Sequence, residues 1–129
     1  MQRQIDSNGI IIFDDNGKKL LSITESFSDG VMNFSVSGEL SSGVSYDFED
    51  ELTAAASVCK KIDLDLKGVT YVSAVAFRAL IAVQQLVDKD DEATLRICSI
   101  NRMLLRQFRD NGFDRLFIID NNILTEGMI

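Results

Sequence analysis

Two short apolar runs separated by a turn open the patterned part of the chain. Ile10-Ile11-Ile12-Phe13 is β-branched and closes on Asp14-Asp15-Asn16-Gly17, after which Leu20-Leu21-Ser22-Ile23 follows. Strand, turn and strand in that order predict a β-hairpin. Beyond a second turn at Ser28-Asp29-Gly30, Met32, Phe34 and Val36 alternate with Asn33, Ser35 and Ser37, the signature of a strand buried on one face and ended by Gly38. From Ser45 the period changes. Phe48, Leu52, Ala55 or Ala56, and Cys59 recur at helical spacing while Asp47, Glu49, Asp50, Glu51 and Lys60 face away, so a helix is predicted over about 44–60. Its acidic first turn and terminal Lys60-Lys61 suit the helix dipole.

Ile62-Asp63-Leu64-Asp65-Leu66 returns to period two, and Val69, Tyr71 and Val72 lead from it into a long apolar tract. There Ala76, Leu80, Val83 and Val87, broadened by Ala79 and Leu86, make the stripe of a second helix over about 74–88. Lys89-Asp90-Asp91-Glu92 forms the turn after it, and residues 94–100 read as a further strand. Asn101 is placed to cap a third helix carrying Met103, Leu104 and Phe108 inward, with Asn111-Gly112 as its stop. Leu116-Phe117-Ile118-Ile119 closes the pattern as a short strand. Helices alternating with single strands predict right-handed crossovers onto a largely parallel sheet. No repeat, low-complexity stretch or linker interrupts the order, so residues 1–129 read as one domain, with about 1–22 an N-terminal hairpin extension.

Composition narrows the function. Hydrophobic residues at 46% and charged residues at 26% fit a globular domain able to fold without a metal or disulfide. The formal net charge of -7, with scattered cations, argues against a nucleic-acid partner and against anionic lipid. The two cysteines, Cys59 and Cys98, both lie in apolar stretches and read as buried free thiols of a reducing compartment. Residues 1–6 lack the apolar core of a secretory signal, and no run of about 18 apolar residues could span a bilayer, so a cytoplasmic location without membrane insertion is expected.

Chemistry-bearing constellations are few. The chain has no histidine, which removes the usual general acid–base group and leaves too few soft ligands for zinc. No cofactor, metal site or catalytic residue is expected. The acidic cluster at Asp47, Glu49, Asp50 and Glu51 reads as a solvated helix face. Asp14-Asp15-Asn16-Gly17 lacks the alternating ligands of a calcium loop, and Gly38, Gly43 and Gly68 are not spaced to cradle a phosphate.

The informative stretch runs Asp65-Leu66-Lys67-Gly68-Val69-Thr70-Tyr71-Val72-Ser73-Ala74-Val75-Ala76-Phe77, a strand passing through a short turn into a helix. Such junctions lie at the carboxyl ends of parallel strands, where functional surfaces gather. Ser73 is suited to cap the helix through its hydroxyl. This segment resembles, without gaps, the signature of STAS domains, the family named for sulphate transporters and anti-sigma factor antagonists. Asp65, Gly68 and Val69 match its strand. Ser37-Gly38-Glu39-Leu40 is similar to another family strand end, and residues 101–117 to its last helix, Asn-Gly turn and final strand. The likeness covers about residues 23–119. In the loop the chain departs from the family: Ser73 stands for the aspartate, Ala74 for the first serine, Val75 for the phosphorylated serine or threonine, and Ala76 for the glycine.

The resemblance implies an α/β fold, a mixed, largely parallel four- to five-stranded sheet backed by helices, here with the extra N-terminal β-hairpin. It implies a non-enzymatic module that binds a protein partner, such as an anti-sigma factor kinase, through the loop and helix around the phosphorylation site. The partner-binding residues expected from it are Glu39, Ser41, Ser42, Ser73, Ala74, Val75 and Arg78. Val75 has no hydroxyl, so the family's switch, in which phosphate charge breaks the contact, cannot act there. Ser73, or Ser41 or Ser42, is the alternative phosphoacceptor. Two other readings stand beside this one: an accessory subunit of a transporter or signalling assembly that pairs through the hairpin's edge, with a homodimer among its forms, and a small-molecule binder or enzyme.

Overall fold

A computed structural model describes residues 1–120. Its seven strands lie in sequence order across one mixed sheet: β1 (Gln2–Asp6), β2 (Gly9–Phe13), β3 (Lys19–Ser28), β4 (Val31–Leu40), β5 (Lys61–Val72), β6 (Thr94–Ile100) and β7 (Ile118–Ile119). Strands β1 to β4 pair antiparallel, and β4 to β7 parallel. Helices α1 (Ser45–Val58), α2 (Ala74–Asp88) and α3 (Arg102–Asp110) fill the three crossovers. Because the parallel strands advance in one direction, right-handed crossovers place all three helices on the same face. Burial agrees, since Ile62, Leu64 and Leu66 of β5 join one core with residues of every helix, whereas Asp63 and Asp65 face the uncovered side. No helix among the described residues is long and apolar enough to cross a membrane.

The antiparallel half is shaped by turns. In the β2–β3 turn, Asp14 Oδ1 accepts from the N–H groups of Asn16 and Lys18, both at 2.8 Å, and Gly17 adopts φ 81°. Asp29 and Gly30 both take positive φ between β3 and β4, the hairpin geometry that matches strand twist. Strand β1, which the hydrophobic pattern does not predict, is fully exposed and held by its ladder to β2. Arg3 fixes it further, with Nε and Nη2 donating to the two carboxylate oxygens of Asp47 at 2.7 and 3.0 Å.

Strand β5 runs unbroken through Lys67-Gly68. Two register shifts against β4 skip a residue each, so that Gly68 pairs with Ser37, Val69 with Gly38, and Val72 with Leu40. These bulges keep Leu66, Val69 and Val72 on the core face although they lie three apart. Gly68 is required by proximity, because a Cβ there would stand 2.8 Å from that of Ser37.

Several expectations need correction. Strand β4 continues through Gly38 to Leu40. Helix α1 ends at Val58 and has no basic residue in its last turn; Lys60 instead pairs with Asp90 and Glu92 at 3.0 and 3.2 Å. Met103 is 56% exposed, and Leu105 takes its expected place beside Leu104 and Phe108. Leu86 and Leu116 are exposed too, and the last strand shrinks to two residues. Cys59 and Cys98 are free but only half-buried. Phe108 centres a ring cluster, with Phe77 at 5.1 Å and Phe117 at 5.7 Å between centroids.

The acidic face of α1 is also less solvated than the pattern suggests. Asp47 is held by Arg3, and the Glu51 carboxyl titrates above its ordinary range, chiefly through burial and then through the neighbouring Glu25 carboxylate. The folded chain therefore holds that proton more tightly than the unfolded one, and stability falls as pH rises through the interval between the two values. Glu51→Gln removes this penalty. Urea melts at pH 7 are expected to show the variant more stable, by no more than about 0.5 kcal/mol because solvent screens this partly exposed group, with the gain gone by about pH 4. An equal gain at both pH values would refute the assignment.

Candidate functional site

The carboxyl ends of β4, β5 and β6 lie together because the three strands are parallel neighbours. The end of β5 is fixed to that of β4 by one backbone bond, the Ser73 N–H donating to the Leu40 carbonyl at 2.9 Å. Ser73 then starts α2: its hydroxyl accepts from the Ala76 N–H at 3.1 Å, and the residue is only 6% exposed. The cap expected from sequence is formed. The same geometry leaves the Ser73 hydroxyl enclosed and engaged, which bears directly on its candidacy as phosphoacceptor.

Beyond Leu40 the chain makes a single 3-10 turn at Ser42–Val44 before α1. Val44 is buried, and the buried Ser45 hydroxyl donates to the Ser42 carbonyl at 2.8 Å. That bond leaves Ser41 half-buried and Ser42 exposed at the surface, next to the start of α2. Glu39 faces the uncovered side of the sheet, paired in register with Tyr71. Ala74 and Arg78 are exposed on the first turns of α2, and Val75 between them is half-buried. Of the seven expected residues, Ser41, Ser42, Ser73, Ala74, Val75 and Arg78 share one end of the molecule on the helix side, whereas Glu39 points to the other face.

Residues the sequence did not nominate join Ala74 and Arg78 to complete this end. Val72, Ala74, Phe77 and Arg78 form one wall of a groove of about 250 Å³, with Gln107, Asn111 and Phe113 opposite. Gln107 Nε2 donates to the Val72 carbonyl at 3.4 Å, and the Phe113 ring lies 4.8 Å from that of Phe77. Tyr71 is 53% exposed and Tyr46, in the first turn of α1, more so. Exposed aromatics at strand ends were the available signal, but period-two patterning absorbs Tyr71 into the strand. The N-terminus arrives here as well: its ammonium pairs with Asp15 at 2.8 Å, and the Met1 methyl abuts Gly43.

Asn101 braces the site from behind. Its Oδ1 accepts from the Leu104 N–H at 2.8 Å, the predicted cap, while Nδ2 donates to the Lys67 and Val69 carbonyls at 3.1 and 2.6 Å. One side chain thus starts α3 and fixes the bulged part of β5. The assembled end offers a shallow surface of small, apolar and amide groups.

A family model described as STAS domain matches residues 22–125. Among solved structures, an anti-sigma factor antagonist from Mycobacterium paratuberculosis has a TM-score of 0.70 at 21% identity, covering 84% of this chain and 95% of that one. A Thermotoga maritima protein solved by NMR reaches 0.67 at 15% identity, covering 99% and 94%. The anti-sigma factor antagonist SpoIIAA in its unphosphorylated form gives 0.64 at 7%, covering 77% and 88%. At these identities the likeness is one of fold. A search among curated proteins gave no match.

The two caps separate local from shared roles. Ser73→Ala removes one capping bond and should cost about 1 kcal/mol in urea unfolding. Asn101→Ala also strips the Lys67 and Val69 carbonyls of a donor and should cost about 2–3 kcal/mol. Equal costs would show that the bracing bonds contribute nothing.

Proposed function

The chain belongs to the STAS domain family, and from that premise we propose that it is a non-enzymatic protein-interaction module of the anti-sigma factor antagonist kind. It holds a protein partner through the first turns of α2, the Ser41-Ser42 turn and the groove lined by Arg78 and Gln107, without phosphorylation at Val75. The observation that supports this reading most is the start of α2. Positions 74 to 76 carry Ala, Val and Ala, and the neighbouring hydroxyl of Ser73 is buried in its cap. A half-buried Val75 beside an exposed Ala74 is the composition of an interface centre, where depletion of charge favours contact. The expected partner is an anti-sigma factor, as the names of the structural neighbours suggest, and an anti-sigma factor kinase is the finer form of this proposal.

Val75→Asp places a charge in that centre and leaves the core intact. Captured partner from native extract should be lost while the circular dichroism spectrum stays that of the parent. In the parent chain, intact-mass analysis after incubation with candidate kinases should show no phosphate adduct on Ser73. Retained capture by the variant would refute the surface, and an adduct on Ser73 would refute the unswitched mode.

The accessory-subunit reading draws on β1, an edge strand with Ile5 73% exposed. An unpaired edge is a template for another chain. Strand β2 cannot be removed with it, because Ile10 and Ile12 are buried in the core. Deleting residues 1–7 is the usable test: light scattering should show a smaller assembly than the parent forms. An unchanged mass would count against edge pairing.

A further inference from the structure

Helix α3 carries Arg102, Arg106 and Arg109 at intervals of four and three residues, which aligns them along one face. None of the three has an ion pair among the described residues, whereas Arg3, Lys60 and Arg96 are each engaged by carboxylates. Together with Met103, Leu105 and Asp110, they line an open groove of about 740 Å³. Met103 is the methionine that helical spacing would have buried and the fold leaves out. A row of guanidiniums with no ion pair among the described residues, beside an exposed thioether, is thus set into a chain of formal net charge -7.

We propose that this face docks an acidic, amphipathic segment of a protein partner, with carboxylates on the three arginines and an apolar side chain over Met103. Guanidinium forks match carboxylates in two-bond geometry, and methionine adapts its shape to whatever apolar group covers it. The surplus of acid over the whole chain repels an acidic partner in general, so a cationic row fixes where and in which orientation it lands. The row spans about 10 Å along the helix. A nucleic acid, with one charge per roughly 1.7 Å of duplex, would run off it onto acidic surface, whereas a short segment with a few carboxylates would not. The arginine row is distinct from the groove beside Val75, because Gln107 and Asn111 lie about 100–180° round the helix from the arginines, with Met103 at the border between the two faces. It therefore stands independently of the function proposed above.

The test is fluorescence anisotropy on the full chain with a labelled helical peptide bearing glutamates at i, i+4 and i+7 and leucines between them. The peptide should bind, and binding should weaken as salt rises. Arg106→Glu, placed mid-helix where the dipole matters least, should weaken it at least about tenfold, the scale of one charge-assisted contact. Met103→Glu should weaken it independently, and circular dichroism of both variants should match the parent; Val75→Asp should bind as the parent does. The proposal is overturned if the parent does not bind, if a glutamine version of the peptide binds equally, if both α3 variants retain parental affinity, or if a single-stranded RNA oligonucleotide binds more tightly.

Discussion

Strand β5 has to carry buried side chains three residues apart on a ladder whose natural period is two, and the geometry of the candidate site follows from how it does so. A regular strand from Leu66 onward would turn Val69 to the polar face. The two bulges against β4 restore it to the core, and each adds bend and twist to the strand. The close approach of Gly68 to Ser37 and the grip of Asn101 on the Lys67 and Val69 carbonyls hold this path. Val72 therefore reaches the core opposite Leu40, and the next residue is delivered to the Leu40 carbonyl in position to cap α2. The place where Ala74 and Val75 emerge is set by packing inside the sheet.

That dependence explains what the sequence disclosed. Helix α2 is legible to the residue because its stripe is apolar on one side and Ser73 supplies a start. The caps at Ser73 and Asn101 are local chemistry, so spacing alone finds them. Strand β1 is not legible: Gln2-Arg3-Gln4-Ile5-Asp6 has little apolar alternation, and its extended form comes from pairing with β2. Met103 and Leu105 flank Leu104 on either side, and sequence offers no means to decide which of them the core takes. The groove across from Val72 joins residues about 35 positions apart, Gln107 to Val72 among them, through the crossover of β6. Side chains brought together that way leave no mark on local pattern.

Electrostatics sort into two classes. The pairs Arg3 with Asp47, Arg96 with Asp63 and Asp120, and Lys60 with Asp90 and Glu92 tie separate elements together. In each the cation is exposed to water, and pairs of this kind contribute about 0–1 kcal/mol each, so they set register and orientation more than stability. The arginines of α3 join no element to another within the described residues. Cations that stitch the fold and cations that stand in a row on its surface answer to different constraints, and among the described residues the second kind meets no carboxylate partner.

The replacement of a hydroxyl by Val75 changes the kind of control that is physically open to the surface. A phosphorylated residue adds nearly two negative charges to an interface and can reverse a contact of several kcal/mol without any change of fold. A branched apolar side chain has no comparable second state. With the Ser73 hydroxyl enclosed in its cap, a kinase would first have to open the turn that starts α2, at the cost of the Ala76 bond. On the proposed reading, occupancy of this surface would be governed by concentration, by affinity and by whatever competes for it. Ser42, exposed on the adjoining turn, is the hydroxyl among the seven site positions that a modifying enzyme reaches without disturbing the fold, and its carbonyl is already held by Ser45. A phosphate there would border the proposed interface rather than occupy its centre, and would change affinity by degree.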